Sequence, residues 1–264
     1  MTDLRRILYV HIGTHKTGTT SFQAFLRNNV SVLASAGIYI PTAGTISTIS
    51  GHHNIAWQLC GDTRYSEACG SIDTLAKEIE NCGADKAILS SEDFGHLISV
   101  RSGFNEIESK FNSIGWDVCF IIVFRDQKSY AWSLYREFLK HRYVKSYQYF
   151  LWEVLTKGVV SLTGNYYEHF NYYLYLERLR DLTHSPVKAL SYNKLIKEKQ
   201  GLIKGILNIV VDDNQLFDIS ITQEYLNTSN DLHRNTREFF YEQCIMVKYV
   251  ISNIRLFLRN RLSF

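Results

Sequence analysis

Proline is nearly missing from this chain: Pro41 and Pro186 are the only two in 264 residues. No low-complexity tract stands in for them, so no linker composition marks a boundary. A single domain over 1–264 is expected, with 1–140 as its core and 141–264 as a more helical cap portion. Paired cysteine motifs are missing too. Cys60, Cys69, Cys82, Cys119 and Cys244 are odd in number and contain no Cys-x-x-Cys, which argues against a zinc site or disulfide framework and fits a reducing, cytoplasmic setting. No apolar run approaches the roughly 20 residues of a membrane span, and the run after Arg5 and Arg6 is too short for a signal segment. Excess charge is also lacking. The net charge is +3, and residues 243–264 alone hold Lys248, Arg255, Arg259 and Arg261 with no acid. Setting those four against the total leaves −1 on the rest, so the body is no polyanion-binding surface and nucleic acid is not an expected partner.

What is present is alternation. The unbroken apolar runs ILYVHI (7–12), IYIP (38–41), KAILSS (86–91), VCFIIVF (118–124) and VKALSY (187–192) read as strands. Between them lie helical stripes: Phe22, Phe25 and Leu26 continuing to Leu33 and stopping at Gly37; Ile72, Leu75, Ala76 and Ile79; and Phe104, Ile107, Phe111 and Ile114. A further apolar helix covers about 201–211. Strands buried on both faces and alternating with helices give a three-layer α/β fold around a central parallel sheet, with a more helical C-terminal half. Its ligand crevice is expected at the carboxyl ends of the strands.

The first such end carries GTHKTGTT, residues 13–20. Gly13 and Gly18 are spaced as in a nucleotide phosphate loop, but Thr19 and Thr20 follow the second glycine and the lysine comes early, at Lys16. A strand, a glycine loop and then a helix present backbone N–H groups to an anion, and Thr17, Thr19, Thr20 and Ser21 add hydroxyls. Thr20 or Ser21 would serve equally as a helix cap. A magnesium-dependent small-molecule kinase would need an acid at a second strand end, and Asp93 supplies one. The strand 118–124 ends instead in Arg125, a guanidinium fork suited to phosphate, with Ser133 on the helix beyond. Two anion sites in one crevice describe a nucleotide phosphorylated at two positions.

HIGTHKTGTTSFQ (11–23) and FRDQKSYAWSLY (124–135) resemble the two signature blocks of the sulfotransferases that use 3′-phosphoadenosine 5′-phosphosulfate. In the second block the arginine, the serine eight residues on and the following x-Tyr correspond to Arg125, Ser133 and Tyr135; Gln127 stands where that family usually has proline. The resemblance implies a phosphosulfate loop of His15 (through its backbone), Lys16, Thr17, Gly18, Thr19 and Thr20, and a 3′-phosphate site of Arg125 and Ser133. It implies in-line sulfuryl transfer to a hydroxyl, leaving 3′,5′-ADP, with no metal required because a sulfuryl group carries less charge than a terminal phosphoryl group. An acceptor on a carbohydrate or lipid-linked glycan belongs to the same expectation.

The transfer needs a base. Glu92, in ILSSEDF at a strand end, is one choice, and His52 or His53 in SGHHNIAW is the other. His11 reads as a buried strand histidine. The five tyrosines of YYEHFNYYLY (166–175) read as a helix used for core and interface, with sugar stacking as the alternative. NTSND (227–231) would suit a loop over the adenine, and the basic amphipathic tail reads as a terminal helix packed on the domain, with peripheral contact to an anionic membrane as the alternative. A nucleotide-binding protein without a working base is the remaining rival. If Lys16 stabilises charge on the bridging oxygen, Lys16→Ala lowers the transfer rate at least about tenfold, or about 1.4 kcal/mol of barrier. A variant that turns over near the wild-type rate at saturating donor would remove that role.

Overall fold

The computed structural model describes residues 5–100, 102–163, 166–197 and 201–211. Five strands form one parallel sheet: β1 (Arg6–His11), β2 (Ile38–Tyr39), β3 (Lys86–Ser90), β4 (Trp116–Phe124) and β7 (Val187–Ser191), in the order β2-β3-β1-β4-β7. β1 lies between β3 and β4, and the chain leaves it first toward the β2 side and later crosses to the β4 side. Its carboxyl end is therefore the switch point at which an open α/β sheet forms a crevice. A small antiparallel pair, β5 (Val159–Val160) with β6 (Glu168–His169), stands apart.

Alternation along the strands builds three layers. Leu8 and Val10 of β1 and Val118, Phe120 and Ile122 of β4 pack with α3 (His53–Cys60), α4 (Ile72–Glu80), α5 (Gly103–Asn112) and α8 (Tyr172–Leu182). Tyr9, Cys119, Ile121 and Val123 point the other way, onto α1 (Thr19–Asn28), α2 (Val30–Ser35) and α10 (Gly201–Val210). The strands read as continuous apolar runs because each face of the sheet has its own helix layer. A third cluster, centred on Tyr130, Leu134, Phe150 and Phe170, joins α6 (Gln127–Lys140) to α7 (Tyr147–Lys157) and the β5–β6 pair.

Two local expectations are corrected. The helix read through Leu33 to Gly37 is two helices, broken at Asn29, whose side-chain Nδ2 and backbone N–H both donate to the Phe25 carbonyl (2.8 and 3.1 Å). An asparagine that satisfies the last carbonyls with its own amide competes with helix continuation. The tyrosine-rich stretch 166–175 is likewise not one helix: it enters β6 first, and α8 starts only at Tyr172, capped by the Asn171 side chain on Leu174 N–H. Within it, Tyr175 is core and donates to the Gly95 carbonyl, whereas Tyr173 is exposed. Among the described residues no helix is long and apolar enough to cross a membrane. The segments 227–231 and 243–264 lie outside the described residues.

Candidate active site

The loop after β1 is fastened to the neighbouring strand before it turns. Val123 N–H donates to the Gly13 carbonyl, and Thr14 donates through both its N–H and its Oγ1 to the Val123 carbonyl (3.4 and 3.0 Å). Gly13, Lys16 and Gly18 then all have positive φ (71°, 61° and 86°). Left-handed residues interspersed along a loop turn its N–H groups toward one concavity, a nest suited to an anion. Gly13 is constrained twice over, since a Cβ there would lie 2.8 Å from Glu92 Cα. Lys16 is the non-glycine of the three, and a β-carbon in the left-handed region is a strain that cores rarely tolerate away from functional loops.

Gly18 caps α1 from that conformation with no side-chain hydrogen bond, so the alternative in which Thr20 or Ser21 serves only as the helix cap does not hold. The N–H groups of the first turn have no partner within the helix. Thr17 and Thr19 differ from expectation as well: both are buried, and their hydroxyls donate back to the Thr14 carbonyl at 2.6 and 3.4 Å. They brace the loop from within. Thr20 is exposed, at the start of α1.

Arg125 leaves β4 beside this loop. Its Nη1 donates to the Lys16 carbonyl at 2.9 Å, its guanidinium lies 5.5 Å from the centre of the Tyr192 ring, and its Nε is buried with no acceptor among the described residues. Tyr172 stacks on Phe124 at 4.3 Å and donates to the Arg125 carbonyl, which fixes the strand end. Gln127, in place of a proline, donates to the Phe170 carbonyl and ties the start of α6 to the segment before α8. Ser133 is half-buried on α6, one turn before Glu137 and on the same helix face. Glu137, which the sequence reading missed, accepts from Lys16 Nζ at 3.1 Å and from Lys140 at 2.9 Å. Burial alone would raise its carboxyl pKa, but the two lysines hold it down at about 2.

The carboxyl end of β3 supplies the other wall. Glu92 accepts from Gln23 Nε2 at 2.8 Å, and its Oε2 stands 4.0 Å from His53 Nε2. His53 Nδ1 meets Asp93 Oδ2 at 3.1 Å and Ser91 Oγ at 2.9 Å, while its buried Nε2 has no partner among the described residues. Trp57 Nε1 also donates to Asp93 Oδ2, at 2.7 Å. Burial would raise the Asp93 carboxyl pKa, but His53, through its hydrogen bond and its charge, holds it well below the usual range. Asp93 fixes the imidazole through Nδ1, so Nε2 is turned toward the Glu92 side. Asp93 is thus committed to an indole and an imidazole.

His52 does not join this group. Its Nε2 contacts the Pro41 carbonyl at 3.0 Å and its Nδ1 accepts from Ser90 N–H at 3.2 Å, so both ring nitrogens are spent on backbone and the expectation of a base or acceptor contact is corrected. His15 lies with Glu168, Nε2 to Oε1 3.4 Å, and its ring is 5.7 Å from that of His96. Burial pulls the His15 pKa down, but Glu168, then Glu92 and Asp93, outweigh it and leave the pKa raised. His96 and Glu168 are the other site residues that no spacing in the sequence marked.

His52 and the strand histidine His11 are both fully buried, and burial lowers their pKa values from 6.5 to about 4 and about 3 respectively. A native state that refuses protons the unfolded chain accepts is stabilised above the unfolded pKa and loses that stability as pH falls. The urea midpoint should therefore drop as pH is lowered from about 6.5 toward 4, and the drop should be shallower in His52→Gln. An unchanged slope in that variant would assign the acid sensitivity elsewhere.

No protein-family model matches the chain, and no curated protein matches it. Among solved structures it is similar to a crystal structure of a sulfotransferase from Alicyclobacillus acidocaldarius, at 15% identity and a TM-score of 0.44, with 88% of each chain covered. At that distance no residue role passes from one protein to the other.

Proposed function

We propose that this protein transfers a sulfuryl group from 3′-phosphoadenosine 5′-phosphosulfate to an acceptor hydroxyl. The observation that carries this reading is Arg125: one guanidinium nitrogen is tied to the loop at the Lys16 carbonyl, and its Nε is a buried donor without an acceptor among the described residues. Buried donors are almost always satisfied, and an anion beside the loop would satisfy this one. A second anion next to a first is what a 3′-phosphate adds to a 5′-phosphosulfate.

In this reading the nest of Gly13 to Gly18 and the open first turn of α1 hold the 5′-phosphosulfate, with His15 and Thr17 to Thr20 contributing backbone N–H groups. Arg125, with Ser133 on α6, takes the 3′-phosphate. Lys16 would exchange Glu137 for the bridging oxygen as charge develops there, a donor placed in advance for the transition state. Glu92 takes the acceptor proton. The His53 imidazole, oriented by Asp93, stands behind it with Nε2 at 4.0 Å. A kinase would need Asp93 for its magnesium ion, and that carboxylate is already used by Trp57 and His53. The acceptor is a hydroxyl compound, and glycans or lipid-linked glycans are the class to test first.

Two measurements test the reading. Calorimetry without Mg²⁺ should show 3′,5′-ADP binding at least about tenfold more tightly than ADP, the margin one charge-assisted contact supplies. Equal affinities would remove Arg125 and Ser133 from a 3′-phosphate site. Glu92→Gln should lower turnover of labelled donor onto a glycan panel by about 100-fold or more, the range of a lost general base. Unchanged turnover would take Glu92 out of the base role.

A further inference from the structure

We infer that His15, His96 and Glu168 form a binding site for a divalent transition-metal ion of the zinc class. This goes beyond sulfuryl transfer and does not rest on it. The three residues come from three separate places in the fold: the loop after β1, the 3-10 segment Glu92–Ser99, and β6. One ligand atom from each lies within 4.8 Å of the other two, a convergence found once among the described residues.

Zinc bonds of about 2.0–2.2 Å in a tetrahedral shell place ligand atoms roughly 3.3–3.5 Å apart. His15 Nε2 and Glu168 Oε1 already stand 3.4 Å apart. The third ligand, within 4.8 Å of both, has at most about 1.4 Å to close, within reach of a side-chain rotation. Two imidazoles and one carboxylate are a borderline donor set that suits zinc and its first-row neighbours, whereas magnesium and calcium take all-oxygen shells.

Glu168 is held as a metal ligand is, through an outer partner. The hydroxyl of Tyr130, fully buried on α6, donates to Glu168 Oε2 at 2.7 Å, so the carboxylate is fixed by one oxygen and presents the other to His15. The His96 ring is flanked by Tyr166, with centroids 4.4 Å apart, and its Nε2 is 3.7 Å from Asp93 Oδ1. Asp93 and Glu168 give this wall a concentration of negative charge that a dication offsets. Three protein ligands leave a fourth position open for an oxygen ligand, the pattern of reactive rather than closed structural zinc sites. His15 immediately precedes Lys16, which places the ion at the edge of the anion loop.

The full-length chain, stripped with a chelator, is titrated with Zn²⁺ by calorimetry and with Co²⁺ by visible absorbance. One equivalent of Zn²⁺ should bind, and one equivalent of Co²⁺ should give the intense visible bands of a four-coordinate ion, which Zn²⁺ then abolishes. Glu168→Gln and His96→Gln should each weaken Zn²⁺ by at least the ~100-fold that even an outer partner can cost. His184→Gln, remote from the three residues in the sheet, should leave the affinity unchanged. The wild-type cobalt spectrum decides the matter even if a ligand variant fails to fold. Its absence, or equal Zn²⁺ affinity in folded Glu168→Gln, would reduce the cluster to an imidazole–carboxylate ion pair. The 3′,5′-ADP comparison needs no metal, so the two readings fail separately.

Discussion

The seam between β1 and β4 is the constraint on which the site depends. The parallel ladder runs from Arg6 opposite Trp116 to His11 opposite Ile121, and it continues past the strand through Ile12, Gly13 and Thr14 onto Ile121 and Val123. Those last hydrogen bonds hold the loop beside Arg125 before either has met a ligand. The backbone that makes them is buried between two helix layers, where an unpaired N–H or carbonyl would cost a full desolvation penalty. The register is therefore fixed by the core, and the positions of Lys16 and Arg125 follow from it.

Around that seam the charges are divided. On one side Lys16 and Arg125 stand with the first turn of α1, and Glu137 keeps Lys16 in place through a 3.1 Å ion pair. On the other side Glu92, Asp93 and Glu168 face His15, His53 and His96. The first wall favours negative charge and the second disfavours it. Asp93 links the parts of this second wall, since it touches Trp57 and His53 and lies close to His96.

Much of the loop side of the crevice was legible in the sequence because its signal is local. The strands Lys86–Ser90 and Trp116–Phe124 fall on the apolar runs, and Gly13, Lys16, Gly18 and Arg125 sit at strand ends, as the alternation required. Local chemistry misled at Asn29 and at the threonines. A helical stripe carries no warning that an asparagine amide will close the helix on itself, and a threonine at a helix start looks like a cap whether its hydroxyl faces out or in. His52 and His53 are adjacent in sequence and opposite in use, one bound to backbone and the other held by Asp93. Only the packing of α3 against the segment Glu92–Ser99 separates them.

The sequence by itself determined the layer order, the parallel sheet, the glycine-bearing loop and the arginine at the next strand's end, because a two-residue strand period and a glycine-bearing turn are encoded within a few neighbours. The tertiary structure alone decided that Lys16 meets Glu137, 121 positions away, and that His15, His96 and Glu168 converge. Those pairings join side chains from different elements across the sheet's carboxyl edge. No spacing along the chain encodes them, since they arise only when the core fixes the height at which each strand ends.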